Sequence, residues 1–252
     1  MKQITFVPVK RKPATVMNTF VISILVLHIA VGTIALLVGL VPMFVQKGSR
    51  LHKRAGLVFV YCMITVAITA LLLCALQPFK MMRLFLTGIA VLSFYLTMTG
   101  WRATKQKTTG PTLADRGLTY VTLSVSLAMV GFGIYLLALN GASFLPTVFT
   151  FFGVLTFVFA RRDIQLMNRP TQKMHWFFQH FTRMGGAYIA TFTAAIVTNI
   201  DRIAPAGSPE WIGTLLWIAP SLVGGILISR TVRHYMAKFS AKANAGLTQS
   251  KL

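Results

Sequence analysis

The chain has 252 residues, 55% of them hydrophobic and only 12% charged, and a mean hydropathy of +0.69. A water-soluble domain does not carry that balance, so an ordinary cytosolic enzyme is excluded. Lys and Arg number 25 against 4 Asp and Glu, a net charge of +21, yet the basic residues fall between long apolar runs. That pattern marks loop charge on a membrane protein and excludes a nucleic-acid surface. The expectation is an all-α polytopic transmembrane helical bundle of about seven spanning helices, with the lipid bilayer as its partner and no protein partner specified.

A helix needs about 20 apolar residues to cross the hydrocarbon layer. Charge-free runs near that length fall at residues 17–46, 55–77, 84–101, 118–139, 144–160, 174–200 and 211–229. The chain then divides into a basic N-terminal tail (1–16), one transmembrane helical domain (17–229) and a basic C-terminal tail (230–252). The first run is too short for two helices and a turn. It is also longer than the roughly 7–15 apolar residues of a cleavable signal, and no Ala-x-Ala site closes it, so it reads as an uncleaved anchor. Gly32, Gly39, Gly88, Gly131, Gly133, Gly153, Gly185, Gly186, Gly224 and Gly225 lie inside the runs and predict packed helix faces. Pro220 predicts a kink in the last run. Cys62 and Cys74 share one run and stand too far apart along a helix to pair.

Orientation follows from the basic residues. Lys47, Arg50, Lys53, Arg54, Arg102, Lys105, Lys107, Arg116, Arg161, Arg162, Arg169, Lys173, Arg230, Arg233, Lys238, Lys242 and Lys251 fall on one side. Only Lys2, Lys10, Arg11, Lys12, Lys80, Arg83 and Arg202 fall on the other, and Arg183 lies inside the sixth run. The positive-inside rule puts the C-terminus in the cytoplasm and the N-terminus outside, in an inner (cytoplasmic) cell membrane, although the N-terminal tail opposes this.

Ionisable side chains are costly in lipid, so they mark candidate sites. Asp115 and Asp163 read as residues of cytoplasmic loops, and Asp201 and Glu210 as residues of an outer loop. That leaves no carboxylate within a span and argues against a proton or sodium pump built on one. His28, His52, His175, His180, His234 and Arg183 remain. His28 reads as a buried interhelical hydrogen-bond partner or a ligand contact, His52 as an interfacial cap or a ligand. His175, beside Trp176, Phe177 and Phe178, reads as part of an interfacial aromatic belt, and His234 as solvated. His180 and Arg183 share a helix face, and Arg183 is expected to face the bundle. His52 and His180 are the one pair at similar depth on different helices, the arrangement that ligates haem b iron axially. His-Glu-x-x-His, a Gly-rich phosphate loop, a Cys ligand set and a Ser-His-Asp set are all missing from the sequence.

The pattern His28-x3-Gly32-x2-Ala35-Leu36-x2-Gly39, then Lys47-Gly48-x3-His52-x-Arg54-x-Gly56-x4-Tyr61-x-Met63, then His180-x3-Met184-x3-Tyr188-Ile189-Ala190-x2-Thr193-Ala194, resembles the prokaryotic membrane family catalogued as domain of unknown function 2306. The likeness covers the first two helices and the sixth. It implies a bacterial multi-pass membrane protein in which His28, His52 and His180 are pattern positions, and it implies no activity. Three functions remain: haem b binding or membrane redox through the cytoplasmic-side histidines; a transporter or small-molecule binder in which Gly-rich helices and Pro220 form a cavity with Arg183 facing an anionic ligand; and a structural partner in the membrane.

Overall fold

The computed structural model describes residues 16–107, 109–167, 174–205, 207–209 and 211–249. Lys2, Lys10, Arg11, Lys12, Arg169, Lys173, Glu210 and Lys251, which enter the charge pattern, lie outside the described residues. Eight helices follow in order: α1 (Val16–Phe44), α2 (Arg50–Leu76), α3 (Met81–Ala103), α4 (Leu113–Asn140), α5 (Phe144–Met167), α6 (His175–Val197), the short α7 (Ile200–Ile203) and α8 (Trp211–Gln249). Among the described residues, α1 to α5 and α8 are long and apolar enough to cross a membrane. The chain is a multi-pass membrane protein with an all-α bundle fold.

Chemistry at the helix ends explains where the helices begin and stop. Ser49 is extended (φ −61°, ψ 165°) and its hydroxyl accepts from His52 N at 3.2 Å, which starts α2. Lys47 donates from Nζ to the Pro42 and Met43 carbonyls at 2.7 and 2.8 Å, satisfying acceptors that the end of α1 leaves open. Desolvation there holds the Lys47 ammonium below the usual lysine range. In the first turn of α4, Asp115 accepts from Thr112 N at 2.8 Å and from Arg102 Nη2 at 2.9 Å, tying the end of α3 to the start of α4.

Helices α1 and α2 form one hairpin and α4 and α5 another, while α3 packs on α2, α4, α5 and α6 and is the centre of the bundle. Helix α6 also runs the length of the bundle. His180 bonds to Gly100 O, Tyr188 OH donates to Leu36 O, Thr191 Oγ1 donates to Met63 Sδ, and Ile200 just beyond its end lies against Gly213 of α8. Seven long helices therefore traverse the bundle, but α6 falls short on apolar character because His175, His180 and Arg183 interrupt it. The helix that hydropathy ranks lowest is an internal one, flanked by α1, α3 and α8.

The two ends of the bundle differ in chemistry. At the end where α3, α4, α5 and α8 begin or finish away from the basic loops, Phe85, Phe149, Phe152 and Trp217 form an aromatic plug, with ring centroids 5.0–6.0 Å apart. At the other, basic end the buried polar groups gather. Between them, buried hydroxyls of Thr97, Thr119, Thr122 and Thr156 donate to the carbonyl four residues earlier, so small polar residues line tight helix contacts without orphaned hydrogens.

Two expectations are corrected. Asp115 and Asp163 are helical rather than loop residues, because α4 starts earlier and α5 runs on to Met167. Gly131 and Gly225 do not mark close packing: a Cβ at either would meet nothing within 4 Å. Residues 230–249, within the basic C-terminal tail, continue α8 as helix.

Candidate functional site

The most unusual chemistry lies where α3, α5 and α6 converge near the basic end. Asp163, on the face of α5 that also carries Phe149, Phe152, Thr156 and Ala160, is only 2% exposed, and so is Arg183 of α6. Arg183 Nη2 donates to Asp163 Oδ1 at 2.5 Å and to the Phe159 carbonyl at 3.2 Å. Tyr95 OH, from α3, donates to Asp163 Oδ2. The guanidinium carbon sits 4.4 Å from the centre of the Phe159 ring and 5.5 Å from that of Tyr95, so cation–π attraction adds to the ion pair. One atom is left over: Arg183 Nη1 is buried and has no hydrogen-bond partner. Such an atom is costly in a closed core and asks for an explanation.

Two clefts meet at this cluster. The first, of about 440 Å³, lies between α3, α5, α6 and α8, with α5 and α6 joined beside it by Arg183, Asp163 and Phe159. Its walls are apolar towards the aromatic plug (Leu92, Leu96, Phe152, Leu155, Ile189) and polar towards the basic end (Arg162, Asp163, Thr182, Arg183, Arg233). The second, of about 370 Å³, opens among Thr99, Arg102, Gln106, Asp115 and Trp176. Asp163, Leu166, His175 and Gln179 line both.

The histidines divide between roles. His28 Nδ1 lies 2.9 Å from Thr69 Oγ1, a hydrogen bond that joins α1 to α2. His52 and His180 come together, with ring centroids 6.3 Å apart and planes at 67°. His52 Nδ1 lies 3.2 Å from Pro42 O and His180 Nδ1 lies 2.9 Å from Gly100 O. A carbonyl only accepts, so both rings carry the hydrogen on Nδ1 and, when neutral, keep the Nε2 lone pair free. That is the orientation a ligating imidazole takes, held by a backbone carbonyl behind it. Neither cleft, however, is lined by His52 or His180, so neither supplies room for a porphyrin plate between the rings. His175 is half-buried on the wall shared by the clefts. Its neighbours Phe177 and Phe178 pack on Tyr235 and Phe239 of α8, and Trp176 receives Lys107 Nζ at 4.2 Å from its ring centre. His234 is exposed. Among the described residues, no group of three or more His, Cys, Asp or Glu side chains gathers as a metal site.

Tyr95 escaped the sequence reading and Asp163 was read as a loop residue; a cavity at Arg183 was expected, but not its wall of α5. A signal for Asp163 existed. With 4 acidic residues in the chain, one that continues the helical phase of Phe152, Thr156 and Ala160 is placed by that phase on the buried face. No family model, curated protein or solved structure matches the chain.

Proposed function

We propose that the protein binds a small molecule inside the membrane, in the cleft between α3, α5, α6 and α8, with Arg183 as its polar contact. The carrying observation is a buried guanidinium that lines an apolar cleft of about 440 Å³ and keeps Nη1 without a partner. Ligand sites of roughly 300–1,000 Å³ combine an apolar lining with a few placed polar groups, and this cleft has that form. Closed at one end by Phe152 and the aromatic plug, it receives its occupant from the basic side or from lipid. Transport across the bilayer would use the same site after α8 and α5 part at Phe152 and Trp217.

The test exploits Gly225, which lines the cleft and has open space where a Cβ would stand. Gly225→Leu adds a side chain at a lining position whose Cβ would meet no atom within 4 Å. Native mass spectrometry of the two purified proteins should find a small molecule held by the wild type and lost about tenfold or more in the variant. Equal occupancy, or none in either protein, refutes the reading.

The second reading, haem b held by His52 and His180, rests on the shared Nδ1–carbonyl arrangement of the two rings. It expects a Soret band that shifts on dithionite reduction, lost with His52→Ala or His180→Ala and kept with His28→Ala and His234→Ala, measured as haem per folded protein. A colourless wild type expressed with haem precursor removes it. The likeness to the family of domain of unknown function 2306 stands beside these readings as a proposal, carried by His28, His52 and His180. So does the orientation with the C-terminus in the cytoplasm of a cell (inner) membrane, supported by the distribution of Lys and Arg.

A further inference from the structure

The polar half of the first cleft carries an excess of one charge. Arg162, Arg183 and Arg233 line it, and Asp163 is the one carboxylate among the lining residues. Asp163 is already engaged by Tyr95 OH and by Arg183 Nη2, so it does not neutralise the other two guanidiniums. Arg162 and Arg233 are exposed, while Arg183 is buried with Nη1 unpartnered. Two exposed cations and one buried cation therefore line the polar half of the cleft. Helix register fixes the direction. Gly185 lies against Ile228 and Gly224 against Ile189, so α6 and α8 run antiparallel, with Arg233 nearer the basic end and Ser221 deeper. Beyond Arg183 the lining is mostly apolar, with Leu92, Leu96, Phe152 and Ile189 and one hydroxyl, that of Ser221.

From this excess of positive charge and this lining we infer that the occupant of the cleft is an anionic amphiphile. Its phosphate- or carboxylate-type head lies among Arg162, Arg183 and Arg233, and its hydrocarbon tail points along α3 and α6 towards the aromatic plug. This rests on the binding reading above and adds the ligand class. Head recognition is electrostatic and charge-assisted, with the head reaching unpartnered Nη1 after a small shift of the guanidinium. The second cleft, which shares Asp163, His175 and Gln179 with the first, gives the head a polar approach from the basic side. An uncharged molecule of the same length would leave the cations uncompensated, and a cationic one would be repelled.

The test compares heads on a constant tail. The full chain in phosphatidylcholine nanodiscs is titrated with dodecyl phosphate, dodecanol, dodecyltrimethylammonium and inorganic phosphate. Dodecyl phosphate should bind about tenfold tighter than dodecanol, with dodecyltrimethylammonium weaker than both. Inorganic phosphate alone should not displace it. Gly225→Leu should abolish binding of every tail. The paired change Arg162→Gln with Arg233→Gln, both at exposed positions, should narrow the preference for phosphate over dodecanol to about threefold while leaving dodecanol unchanged. Equal binding of all three tails, lost with Gly225→Leu, overturns the anion inference and leaves the cleft as a binding site. If no tail binds, or Gly225→Leu matches wild type, both fall. Repeating the titration in nanodiscs containing phosphatidylglycerol separates the sources of the head. Displacement of dodecyl phosphate identifies a bilayer lipid and retention identifies a free amphiphile, and either result upholds the anionic class.

Discussion

Asp163, Arg183 and Tyr95 come from three helices, and each would be expensive in the bilayer alone. Together they satisfy one another except at Nη1. Removing one member of a buried ion pair strands the other, at a cost of about 3–5 kcal/mol. Asp163→Ala and Arg183→Leu should therefore each lower the unfolding midpoint of the purified protein sharply. Tyr95→Phe, which deletes one hydrogen bond to the carboxylate, should cost about 1–3 kcal/mol. Replacing both charges by leucine should cost less than the two single losses added, because no charge is then left unpaired. An unchanged midpoint for Arg183→Leu would show that the pair does not hold the bundle. The location of Arg183 was legible from cost alone, since a lipid-facing arginine near the bilayer centre is disfavoured by about 2.5–3.5 kcal/mol. Its partner was not, because a charge search assigns any acidic residue at the edge of an apolar run to a loop.

That same bias explains where the helix bounds departed from the sequence. Charge-free windows stop at Ala160 and Ser229, yet α5 continues through Arg161, Arg162 and Asp163, and α8 continues to Gln249. Backbone hydrogen bonding does not end where the hydrocarbon does, and Lys and Arg stems reach the interface from a helix that projects past it. Glycines were read more faithfully, and the contrast between them is testable. A Cβ at Gly153 would lie 2.8 Å from Val130 N, and one at Gly133 would lie 2.7 Å from Thr150 N, so the α4–α5 backbones approach too closely for any side chain there. Gly131, on the same helix as Gly133, faces open space. Gly133→Ala and Gly153→Ala should each destabilise by about 1–3 kcal/mol through forced backbone shifts, while Gly131→Ala should be neutral or mildly stabilising. Thermal unfolding followed by circular dichroism separates the three. Equal midpoints for all of them would mean that α4 and α5 do not pack on these faces.

At the scale of the whole molecule, the polar groups and the charge pattern single out the same end of the bundle. The ties of His52 to α1, of His180 to α3, of Arg102 to Asp115 and of Arg183 to Asp163 join helix ends beside the basic loops, whereas the opposite end is closed by aromatic rings. That arrangement requires α6 to cross the bundle, although its composition falls short of the apolar spans. The number of crossings fixes parity. With α6 spanning, the chain crosses seven times and its ends lie on opposite sides; with α6 lying flat, both ends would share one side. Basic residues concentrate in the loops after α1, α3 and α5 and in the second half of α8, and the proposed orientation, with these segments in the cytoplasm, rests on that distribution. A reporter fused after Leu252 should therefore act as cytoplasmic and one inserted at residues 204–208 as external, while one placed at residues 141–143 should also act as external. A cytoplasmic signal from 204–208 with an external one from 141–143 would mean that α6 does not cross. Arg183 would then lose its place beside Asp163, and the cleft would lose the wall that makes it a binding site.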